Sequence, residues 1–430
     1  MTALNVMDRQ LLSVLIDPIK AEFGVSDGAM GLLTGTAFAI LHVTAGIPIG
    51  LAADRGTRRT IIAAGLALWS LLTFLTGFAR SYVEIFAIRI GVGIGEAAGG
   101  APSQSLLSDT FPVERRATAL AVLTLGAPLG SILVFALGGW LADAYGWRVA
   151  FMIFGLPGLA LALLIRTTVP EPKRGRFDGG DGGNGGPSAS SADGPRGAAD
   201  AGDDAAPIPF ASTLRFVVAV PALRSVVLAS GFHAVAMYAV LGWSVPFLTR
   251  VHGISTAEAG ARLALASGLL TALGTFFGGA LADRLARRDL RWLVWQPALA
   301  LVFAWPCAAG FVFAPSAQAA MWLLAPVSLL AGSCFGPFYS VVQTLVAPRM
   351  RAVAAALVIT ANTVLGLGLG APLVGWISDA GVERWGTASI RPALFAALCM
   401  FGVSAVLVAL AARTLRRDLG AKDDWRARSA

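Results

Sequence analysis

Gly50-Leu-Ala-Ala-Asp54-Arg55-Gly-Thr-Arg58-Arg59 joins two apolar runs, 31–53 and 60–79, each long enough to cross a bilayer. The same chemistry returns at Gly279-Ala-Leu-Ala-Asp283-Arg284-Leu-Ala-Arg287-Arg288, between the apolar runs 263–282 and 292–314. Asp54, Arg55, Arg58 and Arg59 map onto Asp283, Arg284, Arg287 and Arg288 at one offset of 229 positions. A single copy is what an ordinary solvated turn between helices looks like. Two copies in one register make the chain a doubled membrane unit.

Composition agrees with that reading. The 430 residues are 56% hydrophobic and 13% charged, with mean hydropathy +0.72, whereas soluble domains carry about 25% charged residues. Apolar stretches at 30–53, 60–79, 82–107, 117–142, 147–166, 220–249, 259–282, 292–314, 319–346, 352–378 and 391–412 give eleven spans. The net charge of +8 follows from topology rather than from a nucleic-acid partner. Arg55, Arg58, Arg59, Arg115, Arg116, Lys173, Arg284, Arg287, Arg288 and Arg351 fall on alternate loops, and Arg413, Arg416 and Arg417 near the C-terminus. The positive-inside rule places those loops and both termini in the cytoplasm, so a bacterial-type inner membrane is expected. Cys307, Cys334 and Cys399 lie in separate apolar runs without metal-ligand spacing.

At the start, Asp8, Arg9 and Gln10 occupy the place where a cleavable signal would need an apolar core. Residues 5–20 resemble the second half of a spanning helix and count as the first of twelve helices. A start codon placed too late is the favoured explanation, and a genuine half-helix the other. The expected organisation is a six-helix bundle over 1–169, a flexible linker over 170–213, a second six-helix bundle over 214–415, and a cytoplasmic tail over 416–430. The linker reading rests on Gly179-Gly-Asp-Gly-Gly-Asn-Gly-Gly-Pro-Ser, which has no apolar content to fold.

Inside the fourth span lies Arg89-Ile-Gly-Val-Gly-Ile-Gly-Glu96. Seven residues is within about 20° of two turns, so Arg89 and Glu96 share a face. Charges at that depth cost several kcal/mol unless they meet partners or a cavity. The expected partners are each other and Asp8–Arg9. A static ion pair is one reading; two acids trading a proton around one arginine is the other. His42, His233, Tyr238, Trp243, Gln343 and Asn362 are further polar or aromatic residues within spans and candidates for the cavity wall. A second duplication maps Pro112, Arg115, Gly130, Gly139, Trp140 and Asp143 onto Pro348, Arg351, Gly366, Gly375, Trp376 and Asp379, at an offset of 236. The histidines are scattered and there is no His-x-x-x-His or Cys-x-x-Cys pair, so an enzyme or metal site is not expected.

The doubled Gly-x-x-x-Asp-Arg-x-x-Arg-Arg loop and Arg89-x-x-x-Gly93-x-Gly resemble signatures of the major facilitator superfamily. Asp8-Arg9-Gln, Pro18-Ile-Lys-Ala-Glu-Phe-Gly-Val-Ser-Asp27, Gly91-Val-Gly-Ile-Gly-Glu96-Ala, Ser105-Leu-Leu-Ser-Asp109 and Glu171-Pro-Lys-Arg-Gly are similar to the spinster-type branch. The resemblance implies an all-α polytopic membrane protein, with twelve helices in two bundles around a cavity and alternating access. It implies Asp8, Arg89 and Glu96 as a proton-linked switch. The two loops, with Gly50, Asp54, Arg55, Arg58, Arg59, Gly279, Asp283, Arg284, Arg287 and Arg288, would act as gating latches. It also implies an amphipathic, lipid-like substrate such as a lysophospholipid or sphingolipid, with drug efflux or small organic anion transport as alternatives. No cofactor is expected beyond a proton gradient, and no partner beyond substrate and membrane lipid; the expected state is a monomer.

Overall fold

Hydrocarbon offers the backbone no hydrogen-bond partner, so a chain this apolar must satisfy its N–H and C=O groups within helices or a closed barrel. The computed structural model describes residues 1–172, 210–347 and 350–429. Among these residues every regular element is helical. Among the described residues, nine segments are long and apolar enough to cross a membrane. They are Asp27–Ala53, Arg58–Thr76, Leu125–Tyr145, Trp147–Thr168, Pro221–His252, Thr256–Ala286, Trp292–Phe313, Ala317–Leu345 and Val353–Leu419. The last is interrupted at Gly386, whose φ of +56° precedes the helix Ile390–Ser429. More charged helices complete the first half: Thr2–Val14, Ile16–Phe23, Tyr82–Ala97 and Ala101–Thr110.

The duplication seen in the loops extends to the helix ends. Gly24 (φ +61°) and Gly253 (φ +68°) end one helix, and two residues later Ser26 and Ser255 cap the next by accepting from Ala29 N and Glu258 N. Ser81 and Ser316 cap two further helices in the same way. Small residues then let helices touch backbone to backbone. A Cβ on Gly274 would lie 2.1 Å from Leu329 O, and one on Gly155 2.6 Å from Phe74 N. The outer surface is apolar, with Val83, Phe276 and Trp322 each more than 70% exposed, as suits side chains facing lipid.

The two halves meet along two seams. In one, helix 27–55 packs on helix 351–385; in the other, helix 113–145 packs on helix 256–286. Each of these four helices contains a π-helical turn: Leu32–Thr36, Val134–Gly138, Ala264–Leu269 and Asn362–Gly370. At the first seam the Thr36 hydroxyl donates to Gly368 O at 2.7 Å, from one π turn to another. The hydrogen bonds across the seams lie toward the end away from the arginine-rich loops. The two halves are thus hydrogen-bonded to each other at the end away from the basic loops.

Two boundaries differ from the sequence expectation. The helix Phe210–Ala219 begins inside the stretch read as linker, because its apolar face packs through Phe216 and Val217. The glycine-rich part of that linker lies outside the described residues. The final helix runs to Ser429, past the expected start of the tail at 416. There Asp418 accepts from Ala222 N at 2.9 Å, and Arg416 pairs with Asp289 at 3.0 Å.

Candidate functional site

Asp8 (4% exposed), Arg89 (0%) and Glu96 (1%) are buried together in the first half. Arg89 and Glu96 do not pair with each other. The Arg89 Nη1 donates to Asp8 Oδ2 at 2.8 Å, while Glu96 Oε2 accepts from Arg9 Nε and Asn5 Nδ2, both at 2.7 Å. The physical reason is reach: about 10 Å separates residues 89 and 96 along their helix. The crossing helix presents Asp8 and Arg9 between them. Thr73 adds a short hydroxyl hydrogen bond to Asp8 Oδ1.

Two acids and two guanidiniums make this core formally neutral but under-bonded. Among the described residues, Arg89 Nε, Arg89 Nη2 and Glu96 Oε1 have no hydrogen-bond partner. A buried charge with unfilled valence is poised to change partners when its counter-ion changes charge. Arg9 is the member with an open side, its side chain 25% exposed. Its guanidinium lies 4.4 Å from the centroid of Phe38, and Phe38 stacks on His42 with centroids 5.0 Å apart. The His42 Nδ1 has no partner among the described residues. Tyr238 and Leu367 of the second half pack into the same cluster around Phe38. Arg9, Phe38, His42 and Tyr238 therefore bring both halves to one place.

The other candidates from the second half lie elsewhere. His233 is 1% exposed, bonded through Nε2 to Ala331 O at 3.0 Å and ringed by Phe335, Phe338 and Phe401. An isolated histidine in an apolar run gives no signal of which face it occupies; here it is packing. Trp243 is fully buried and ties its helix to Ala371 O at 2.9 Å. Gln343 donates to Arg351 O at 3.2 Å, near the basic end. Asn362 opens a π turn with its Oδ1 unpaired among the described residues.

The basic loop of the first half is a clamp within that half. The buried Arg58 forms a short ion pair with Asp109, bonds Glu171 through Nε at 3.0 Å and Ser105 at 2.9 Å, and also reaches Pro172 O. Arg59 N donates to Glu171 Oε2 at 2.8 Å. Burial pushes the Glu171 carboxyl up, but the Arg59 and Arg58 N–H groups and the Arg58 guanidinium outweigh it and hold the carboxyl below its ordinary value. Arg55 is exposed, Gly50 faces open space, and the Asp54 side chain lies outside the described residues. In the second copy, Asp283, Arg284, Arg287 and Arg288 are exposed and make no ion pair among the described residues. One copy of the doubled motif is engaged in ion pairs, and the other forms none among the described residues.

Sequence reasoning did not single out the opposite end, which holds a denser network. Arg250 bonds Asp17 (2.6 and 2.8 Å) and Asp27 (2.7 and 2.9 Å). Asp27, 1% exposed, also accepts from Lys20 at 2.6 Å and from Ser378 at 2.8 Å. The only signal in the sequence was charge at helix ends, which positive-inside counting treats as background. Asn5 and Thr73 were missed for a related reason: neutral polar residues are common in helix packing.

The sequence profile of the Major Facilitator Superfamily matches residues 1–371, and the chain belongs to that superfamily. An MFS-type efflux pump of Mycolicibacterium smegmatis is 33% identical over 417 residues, covering 97% of this chain and 91% of the pump. A sphingosine-1-phosphate transporter of Danio rerio is 35% identical over 178 residues, 41% of this chain and 35% of that protein. The crystal structure of a bacterial homologue of the human lysosomal transporter Spinster, inward-facing and unoccupied, is similar with a TM-score of 0.83. Its identity is 28%, and the match covers 97% of this chain and 96% of that one. The chain is thus an integral, multi-pass, spinster-like transporter rather than an enzyme.

Proposed function

We propose that this transporter is a proton-coupled secondary carrier of an amphipathic, lipid-like solute with an acidic head, working by alternating access between two six-helix halves. The observation that carries the reading is the half-open Arg9, held by the buried Glu96 on one side and lying over Phe38 on the other. A proton on Glu96 would leave the four-charge core with one excess positive charge. An anionic group on Arg9 would restore neutrality, which a low-dielectric site favours strongly. The part-exposed Tyr238, backed by the buried Phe38, suits an apolar portion of the same molecule. Proton and substrate are thereby linked at one arginine, and Asp8–Arg89 transmits the change to the neighbouring helices.

With the basic loops in the cytoplasm, the end where hydrogen bonds tie the two halves together faces outward and both termini are cytoplasmic. The carrier acts as a monomer in a bacterial-type inner membrane, without a cofactor. Reconstituted protein given a pH gradient should move labelled lysophospholipid in a gradient-dependent way. Gradient-dependent movement of hydrophobic dyes with no lysophospholipid flux would replace this substrate class by drug efflux. That second reading draws on the near-full-length similarity to an efflux pump.

A further inference from the structure

The duplicated segment Gly139-Trp140-Leu-Ala-Asp143 and Gly375-Trp376-Ile-Ser-Asp379 has no place in the proton switch or the basic loops. In the fold, each copy reaches across a seam to the opposite half. The Asp143 Oδ2 accepts from Ala257 N at 2.8 Å. Asp379 accepts from Asp27 N at 2.8 Å and from Gly28 N at 2.7 Å. Ala257, Asp27 and Gly28 lie in the first turns of the long segments Thr256–Ala286 and Asp27–Ala53.

The first N–H groups of any helix have no partner within it. At these two helices they are divided in the same way: the third goes to the helix's own serine, Ser255 or Ser26, and earlier ones go to a carboxylate of the other half. A carboxylate at a helix start is favoured by charge as well as by hydrogen bonding. The glycines complete the contact. A Cβ on Gly139 would lie 2.4 Å from Thr256 O, and one on Gly375 2.3 Å from Asp27 O, so only glycine lets these backbones meet. A residue kept merely to end a helix at the membrane surface would have no reason to reach the opposite half, twice, at corresponding positions.

We propose that these segments form a duplicated latch that holds the outer face shut, each carboxylate capping the gate helix of the opposite half. The inference rests on the alternating-access reading: opening the outer face separates both seams and uncaps both helices together. The two copies are unequal. The Asp379 copy takes two N–H groups and adjoins the Arg250–Asp27 cluster, whereas the Asp143 copy takes one. The Asp143 seam is therefore the weaker of the two.

Spin labels at Arg80→Cys and Gln318→Cys, with Cys307, Cys334 and Cys399 replaced by alanine, report the width of the outer mouth by pulsed dipolar spectroscopy on the full chain in nanodiscs. Asp143→Ala and Asp379→Ala are each expected to raise the ratio of open to closed mouth by roughly 2- to 30-fold, the range for a lost helix cap. The effects should multiply in the double variant, and Asp379→Ala should have the larger one. Asp143→Asn and Asp379→Asn, which keep a side-chain acceptor, should give smaller shifts, and they stand in if an alanine variant does not fold. A distance distribution in the double variant that superimposes on the parent overturns the latch. The readout needs no substrate, so a wrong substrate class leaves it intact. A mouth that stays at one width across all pH values in the parent protein counts against alternating access instead.

Discussion

That Asp8, Arg89 and Glu96 would be buried among charged partners was legible because an ionised side chain inside an apolar run has to be compensated. Which acid meets which arginine was not legible, because helical periodicity fixes a face but not the crossing helix that supplies the partner. The result is two separate pairs, and they make different predictions. Arg89→Met leaves Asp8 buried beside Thr73 alone and should cost about 3–5 kcal/mol of stability. Adding Asp8→Leu should recover most of that loss, measured as melting temperature in detergent. Equal losses in the single and double variants would mean that Arg89 contributes packing rather than charge compensation. For Glu96 the loss should be smaller than for Arg89→Met: Glu96→Gln keeps the shape and still accepts from Asn5, and the Arg9 it leaves without a counter-charge is 25% exposed, so water can solvate it in part.

Among the elements, the doubled loop shows how a repeat can be read correctly while its state cannot. Arg58 and Arg287 occupy equivalent sequence positions, yet one is clamped to Asp109 and Glu171 while the other is exposed. Local sequence supplies the same charges twice; the neighbours each copy meets in the fold decide whether they pair. Because the Glu171 carboxyl is held below its ordinary value of 4.5, the clamp's stabilisation is fully present above about pH 4.5 and is lost as pH falls through the lower folded value. Glu171→Gln should therefore lower the melting temperature at pH 7, and the gap from the parent should narrow on acidification below pH 4.5. A gap that widened with acid would contradict an ionised clamp. Helix packing gives a second check. Gly274→Val forces a Cβ against Leu329 O and should destabilise by at least about 1–3 kcal/mol, whereas Gly279→Ala enters open space and should be tolerated.

For the whole molecule, the two internal offsets carried most of the fold, because two in-register copies of a basic loop leave few alternatives to a duplicated bundle. The conformation was not carried by them. Each seam is built from contacts between distant parts of the chain, such as Asp27 with Asp379 or Thr36 with Gly368. Helical periodicity within one stretch does not say which distant stretch it will meet. The most direct test of proton coupling compares two fluxes in the same vesicles: lysophospholipid accumulation driven by an imposed pH gradient, and exchange of labelled for unlabelled lysophospholipid with no gradient. If the Arg9–Glu96 pair links proton to substrate, Glu96→Gln should lose driven accumulation, at least about tenfold, while exchange persists. Driven accumulation that survives in Glu96→Gln would place the proton elsewhere and contradict the mechanism.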